Sequence, residues 1–455
     1  MPDAEHGAGD GRAEHDERGP SDERHAHSGT SKAVAIAVVV AALGYFVDIF
    51  DLLLFAIVRI PSLTSLGVPQ EEARNAGIWL DNVVQTTGLM VGGLFWGVLG
   101  DRRGRLSVLF GSILCYSLAN ILNAFVYDID PNGSLSFLHS IGLGTALRQY
   151  EVLRFVAGFG LAGELGAGVT LVAELMGKEH RGIGTTIIAS VGVLGAVAAA
   201  LVATAVEWRT AYLIGGLLGV GLLFLRIGVV ESGMFKDVAE RDERSRGAFW
   251  KLAWPPERLR RYLAVIALGL PIWYAVGVLV KYAPELFASL GIPKADTLTP
   301  ATAIMWCYIG LALGDLASGA ISQVIRSRKR AVLLFHALTI VAVALYFFVA
   351  PRSAFTSKVI ILFLGFAIGY WAVFVTMAAE QFGTNLRATA ATTAPNFVRW
   401  AGAMGSALLW TALEPVVGGQ WQSAAIVGAI VLSIAIVACL SLRETFGVSL
   451  DYVER

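Results

Sequence analysis

The chain has 455 residues, of which 56% are hydrophobic and only 15% charged, and its mean hydropathy is +0.65. A soluble domain averages about 25% charged residues, so this composition excludes an ordinary water-soluble globule and points to a chain embedded in a lipid bilayer. The 35 basic and 35 acidic residues cancel. That total says nothing about nucleic acid, and none is expected as a partner; the placement of the charges carries the information.

Residues 1–32 are acidic, polar and histidine-bearing, with no apolar signal-peptide core before Ala33. They read as a disordered cytoplasmic tail. His6, His15, His25 and His27 are irregularly spaced and have no cysteine beside them, so no metal site is expected. Twelve apolar stretches follow, at about 33–58, 77–99, 106–126, 150–175, 183–206, 209–230, 260–283, 300–324, 331–350, 358–381, 389–412 and 421–442. Each supplies about the 20 residues that a spanning helix needs. Helices satisfy their own backbone in lipid, and the short alternating segments of a membrane barrel are absent. Cys115, Cys307 and Cys439 lie far apart inside these stretches, which gives neither a metal spacing nor a disulfide framework.

Between the second and third stretches runs Gly97-Val98-Leu99-Gly100-Asp101-Arg102-Arg103-Gly104-Arg105, a charged hinge that must sit at a membrane surface. The even-numbered gaps hold most of the basic residues: Arg102, Arg103 and Arg105, then Lys178 and Arg181, Lys236 to Arg261, and Arg326 to Arg330. Odd gaps hold single cations such as Arg74, Lys294 and Arg352. The bias places both termini in the cytoplasm of a multi-pass protein of the cytoplasmic (inner) membrane. The expected organisation is a tail (1–32), a six-helix bundle (33–235), a cytoplasmic linker (236–259), a second six-helix bundle (260–442) and a C-terminal tail (443–455). Within the linker, Phe249, Trp250, Leu252 and Trp254 suggest an interfacial stretch.

The halves echo one another. Glu174 precedes Arg181 after span four as Glu380 precedes Arg387 after span ten, and Gly88, Gly92 and Gly97 have counterparts in Gly310, Gly314 and Gly319. Parallel repeats of six spans are a transporter architecture with the substrate between them near the midplane. The hinge Gly97 to Arg105, the two Glu/Arg pairs and the terminal Glu444-Thr445-Phe446-Gly447…Leu450-Asp451 together resemble the major facilitator superfamily, over the chain from about residue 33 to its end. The resemblance implies twelve helices in two pseudo-symmetric bundles, working as a monomer. It also implies a cytoplasmic gate of Gly97, Asp101, Arg102, Arg105, Glu174, Arg181, Glu380 and Arg387. In that gate Arg105 would meet Glu174, and Asp101 would face the start of span eleven near Ala388 to Thr392, where the helix dipole favours an anion. Two departures are Leu106 in place of a final cation, and Gln323-Val324 where the second loop would carry Asp-Arg, which suggests a weaker clasp there.

Ionisable groups inside a membrane are costly and are functional candidates by default. Asp48 and Asp51 lie three apart on one face of span one, and two such carboxylates shielded from water favour proton uptake. Their Asp-x-x-Asp pattern resembles the proton symporters of organic and inorganic anions. The resemblance also implies that Arg154 faces span one and answers to its acid, as a coupling pair with Asp51 or as a permanent salt bridge. Glu164 is a second proton site or a helix-packing carboxyl. Arg399 could hold a substrate carboxylate in bidentate fashion, or partner Asp315 or a lipid headgroup. Lys281, Tyr274 and Tyr370, with Asn396 and Gln85, complete the candidate substrate contacts; Tyr45, Trp306, Tyr370 and Trp371 could add aromatic walls. Pro271 and Pro284 bracket a broken segment of the kind that lines transport pathways.

The expected function is alternating-access, proton-coupled symport of a small organic anion of carboxylate type. It needs the bilayer, protons and a small-molecule substrate, and no cofactor beyond the proton gradient. The alternatives are a sugar or other neutral-solute symporter or facilitator, and a drug-efflux antiporter, whose usual glycine–proline motif in span five is missing from Gly192-Val193-Leu194-Gly195-Ala196-Val197. No His-Glu-x-x-His, Walker or nucleophile-elbow motif occurs, so an enzyme is not expected.

Overall fold

The computed structural model describes residues 20–103, 105–164, 181–231, 250–292, 298–349, 353–447 and 454. Residues 1–19, Gly104, Glu174 and most of the linker lie outside the described residues, as do the side chains of Asp101, Arg102, Arg105 and Arg181.

Among the described residues the regular structure is helical, in twelve long elements. The first half holds α1 (Pro20–Ser65), α2 (Ala73–Leu99), α3 (Arg105–Asn123), α4 (Ala146–Leu161), α5 (Arg181–Val193 and Gly195–Ala205) and α6 (Trp208–Glu231). The second holds α7 (Pro256–Val280), α8 (Pro300–Val324), α9 (Arg328–Phe348), α10 (Ala354–Ala367 and Trp371–Glu380), α11 (Thr384–Arg399 through Gly405–Val417) and α12 (Gln420–Ser441). Nine helices among the described residues are long and apolar enough to cross a membrane. α3 narrowly misses on length, α4 is described only as far as Glu164, and threonines, Asn396 and Arg399 make the first part of α11 polar.

The helices outrun the apolar stretches. α1 runs back to Pro20, inside the segment expected to lack structure, and on past residue 58 to Ser65; α7 starts at Pro256, inside the expected linker. Adding a turn to an existing helix costs far less than nucleating one, and proline is preorganised for a first turn. Hydropathy therefore marks the lipid-facing middle of each rod and not its ends.

In the first half α1 packs on α5 and α6, α3 on α4 and α6, and α2 on α4; in the second α7 packs on α11 and α12, α8 on α10, and α9 on α10 and α12. The halves meet where α5 lies on α8 and α2 on α11. The crossings α2/α4 and α8/α10 are equivalent. A Cβ at Gly92 would collide with the Phe159 carbonyl, and one at Gly314 with the Phe366 carbonyl. Glycine lets the backbones touch, the main source of helix association in lipid.

Three π-helical sections widen the helices that surround the interface: Ile78–Gln85 in α2, Ala275–Val280 in α7 and Trp400–Met404 in α11. The last two begin four and five residues after Pro271 and Pro395, which break the α-type bonding and leave carbonyls to be satisfied otherwise. Asn82 of the first section bridges to a carbonyl in each of the other two. Its amide donates to the carbonyl of Gly277 at 3.0 Å and of Ala403 at 3.2 Å.

Candidate functional site

Asp48 and Asp51 are fully buried, one turn apart on α1. Asp51 lies against Gly215 of α6, where a side chain would strike its carboxylate. Arg154 of α4 and Asn120 of α3 stand around it. Arg154 donates to the Asn120 side-chain oxygen at 2.6 Å and lies 4.9 Å above the Tyr212 ring, and no ion pair joins it to Asp51 among the described residues. The two expected coupling groups are thus neighbours through Asn120. Glu164 forms a two-bond ion pair with Arg226 of α6, wedged against Gly44 of α1. Arg399 of the second half, Glu164 and Arg226 are the charges that act on Asp48 with Asp51, and among the described residues no ion pair or hydrogen bond joins its carboxylate to any of them.

Arg399 is fully buried, 5.6 Å from the ring centres of both Trp273 of α7 and Trp371 of α10. None of its three guanidinium nitrogens makes a geometric hydrogen bond to a described residue, and neither indole N–H does. The Tyr45 hydroxyl reaches it from α1. Stacking on desolvated aromatics gives a cation about 2 kcal/mol per ring, short of the several kcal/mol that burying an ion costs. This guanidinium needs an anion, and no carboxylate among the described residues forms an ion pair with it.

The other expected substrate contacts are engaged within the protein. Tyr274 donates to the Ala424 carbonyl of α12 at 2.7 Å, and Tyr370 donates to the Leu268 carbonyl at 3.1 Å and lies 3.1 Å from His336. Both phenols turn into the second half, because a buried hydroxyl takes the nearest backbone acceptor. Asn396 spans the halves, donating to the Ala162 carbonyl of α4 at 3.0 Å, and Gln85 donates to the Leu52 carbonyl at 3.4 Å. Asp315 accepts from the Ala372 N–H at 3.2 Å. It thereby caps the helix that restarts after the break in α10, and it makes no ion pair with Arg399 among the described residues.

Lys281 donates to Asp81 of α2 at 2.6 Å, both side chains buried. Among the described residues this is one of three ion pairs between the halves at the end of the bundle away from the chain termini. Arg59 of α1 pairs with Glu285 just beyond α7 and lies 4.4 Å above Tyr282; Arg74 pairs with Glu414 of α11 at 2.8 Å. With the Asn82 hydrogen bonds they close that end. Sequence reading missed Arg59, Asp81, Asn82 and Arg226 as functional groups, although each is polar and falls at or within an apolar stretch, the signal already used for Asp48.

At the opposite end Gly97 faces Thr393 of α11, allowing α2 and α11 to approach. Glu380 is held by Arg328 at 3.5 Å and by the Thr445 hydroxyl at 2.7 Å, while Arg387 stands on the second turn of α11. Glu444 accepts from the Ser327 hydroxyl and from the Arg328 N–H, capping the start of α9. The second-half loop, which lacks the Asp-Arg pair, is thus tied to the C-terminal segment within its own half.

The sequence profile of the Major Facilitator Superfamily matches residues 34–407. The chain is 26% identical over 380 residues to a putative niacin/nicotinamide transporter of Bacillus subtilis, covering 82% of this chain and 87% of that one. It is 26% identical over 363 residues to a probable 4-methylmuconolactone transporter of Cupriavidus pinatubonensis, covering 76% of each. Its fold is similar to that of the proton:xylose symporter XylE, with a TM-score of 0.66 at 15% identity over 92% of this chain and 98% of that one. Twelve helices in two equivalent halves, charges buried between them and a profile match over most of the length lead to one conclusion: the chain belongs to the Major Facilitator Superfamily, as a multi-pass secondary transporter and not an enzyme.

Proposed function

We propose that this carrier moves a small organic carboxylate bearing a flat ring, together with a proton, into the cytoplasm. The observation that carries this reading is Arg399: fully buried, its guanidinium nitrogens unpartnered among the described residues, and flanked by Trp273 and Trp371. A guanidinium takes a carboxylate through two parallel charge-assisted bonds, and indole faces take a planar ring. Niacin, named for one relative, is a carboxylate on an aromatic ring, and the muconolactone named for the other also carries a ring.

The basic bias puts both termini and the Arg328–Glu380 clasp in the cytoplasm of a cytoplasmic-membrane protein. The three ion pairs between the halves then form the outer gate, shut in this state, and Asp101 to Arg105 with Glu174 and Arg181 belong to the inner one. The halves, about 33–235 and 260–442, rock about the Asp48–Arg399 layer in a monomer. Protons enter the cycle at Asp48 and Asp51.

Purified protein in liposomes under an inward proton gradient tests this. Radiolabelled niacin or benzoate should accumulate, and a protonophore should collapse the accumulation. Accumulation of xylose but of neither acid, or uptake indifferent to the protonophore, overturns it.

A further inference from the structure

We propose that Trp273 and Trp371 recognise the substrate's ring by hydrogen bonding as well as by stacking. Their two indole N–H groups share one uncharged carbonyl oxygen, so the preferred cargo is a cyclic monocarboxylate with a carbonyl on its ring. The inference rests on the carboxylate reading above and names the substrate class of the same site.

Around Arg399, five buried nitrogens have no acceptor among the described residues: three of the guanidinium and one on each of the two indoles. All are donors. Trp273 and Trp371 are each 4% exposed, so bulk water does not satisfy them, and a buried donor is ordinarily paired. The fold supplies acceptors to indoles elsewhere: Trp96 donates to the Phe159 carbonyl at 2.7 Å and Trp410 to the Gln420 carbonyl at 2.8 Å. Trp400 is the one other indole whose buried nitrogen lacks a partner among the described residues, and that residue is partly exposed.

Charge limits the cargo to one carboxylate. Arg226 is taken by both oxygens of Glu164, and Arg154 by Asn120 and the Tyr212 ring. Arg399 is the arginine of this layer that is open to an incoming anion. A bidentate carboxylate occupies its fork and leaves the two indole donors. A second buried carboxylate would lack a cation, so the acceptor that meets those donors is neutral.

The direction of the donors separates the two tasks. The guanidinium lies over both indole faces, 5.6 Å from each ring centre, whereas an indole N–H lies in the plane of its ring. The N–H groups therefore serve an acceptor set apart from the guanidinium, on the substrate's ring. The two ring centres are 6.4 Å apart and their planes are inclined at 72°. Planes so inclined cross, and an oxygen on the line of crossing lies in the plane of both donors; parallel indoles would need an acceptor each. A ring nitrogen has a single lone pair and answers one N–H, while a carbonyl oxygen has a pair for each. Packing holds the indoles in this arrangement. A Cβ at Gly402 of α11 would stand 2.7 Å from that of Trp273, and the Trp371 and Phe374 ring centres are 5.2 Å apart. Trp273, Trp371 and Arg399 all belong to the second half, so rocking of the halves carries this corner as a unit.

The test measures binding of three flat acids to full-length protein by calorimetry at neutral pH. Benzoate has no ring acceptor, niacin has a ring nitrogen, and coumalate is a ring lactone with one carboxylate and one ring carbonyl. Affinity should rise in that order, by about 2- to 12-fold for each neutral hydrogen bond added. Trp273→Phe and Trp371→Phe each remove one N–H and keep a flat ring. Both weaken all three acids through lost stacking area, and each should cut the coumalate-to-benzoate ratio by one such step. The double variant should bring that ratio to about one, because no indole donor remains. Equal affinity of the wild type for the three acids overturns the proposal, as does a ratio that survives in the double variant. If the variants do not fold, the wild-type series decides alone: coumalate above benzoate supports the proposal and equality overturns it. Isophthalate, whose second acceptor is charged, should bind more weakly than benzoate; binding as tight as coumalate overturns the neutral acceptor. A wild type that binds none of these acids is a different result, and sinks the carboxylate reading together with this one.

Discussion

In the first half, α2 and α4 touch backbone to backbone at Gly88, Gly92 and Gly158; in the second, α8 and α10 do the same at Gly310, Gly314 and Gly365. The interiors built on these matching crossings differ in chemistry. The first half engages both of its buried arginines itself, Arg226 by Glu164 and Arg154 by Asn120. The second presents Arg399 among indoles, and keeps Asp315 for capping its own broken helix. In the proposed cycle, one architecture used twice would yield a proton-handling side and an anion-holding side. The reason is energetic: glycine contacts need only shape, and both repeats can keep it, whereas a buried charge needs a partner and only one half has to supply it.

The sharpest way to separate the halves is at the outer pairs. Lys281→Ala leaves Asp81 buried without its cation, and breaking such a pair costs about 3–5 kcal/mol. A large drop in melting temperature is expected in detergent, mostly recovered in the double variant Asp81→Asn/Lys281→Gln. A single variant as stable as wild type would show that the halves are not held there.

Next in size is the contrast between Arg399 and Arg154. Arg399→Ala should weaken carboxylate binding by about 10- to 150-fold, the worth of a charge-assisted bond of about 1.5–3 kcal/mol. Arg154→Ala should harm proton-driven accumulation more than binding. Equal effects of both variants on binding would erase the division of labour.

The equivalence of the crossings is tested by Gly92→Leu and Gly314→Leu. Each overpacks a contact and should lower stability by at least about 1–3 kcal/mol, to a similar extent in thermal denaturation. A large asymmetry would break the structural half of the comparison.

The smallest effect belongs to a device of the second half alone. Burial pushes the Glu444 carboxyl up, but the Ser327 hydroxyl and the N–H groups of Phe446, Arg328 and Thr445 outweigh it and hold it below the ordinary glutamate value. A lowered native value means stabilisation that is complete above the ordinary glutamate range and lost as pH falls through the native one. Glu444→Gln should therefore lower the melting temperature slightly at pH 7 and not at all near pH 3. A difference that persists in acid would tie the residue to packing instead.

Much of this was legible beforehand. Apolar length gave the twelve spans, the repeated glycines marked the two halves as equivalent, and Asp48, Arg154 and Arg399 stood out because charge is rare inside a span. Two kinds of feature stayed hidden. Sequence spacing cannot give the direction of a hydroxyl, so Tyr274 and Tyr370 looked like pathway residues although their O–H groups bond to backbone within the second half. Spacing also cannot pair residues remote in the chain: Asp81 finds Lys281 and Arg59 finds Glu285 across 200 and 226 positions.

By itself the sequence determined that this is a two-fold helical membrane carrier, because composition, helix period and small-residue spacing are local properties that lipid enforces everywhere along the chain. Only the tertiary structure decided which charges neutralise which. Pairing depends on distances of a few ångströms between helices that no sequence spacing fixes, and it leaves Arg399 without an ion pair among the described residues while Arg154 and Arg226 are held within their own half.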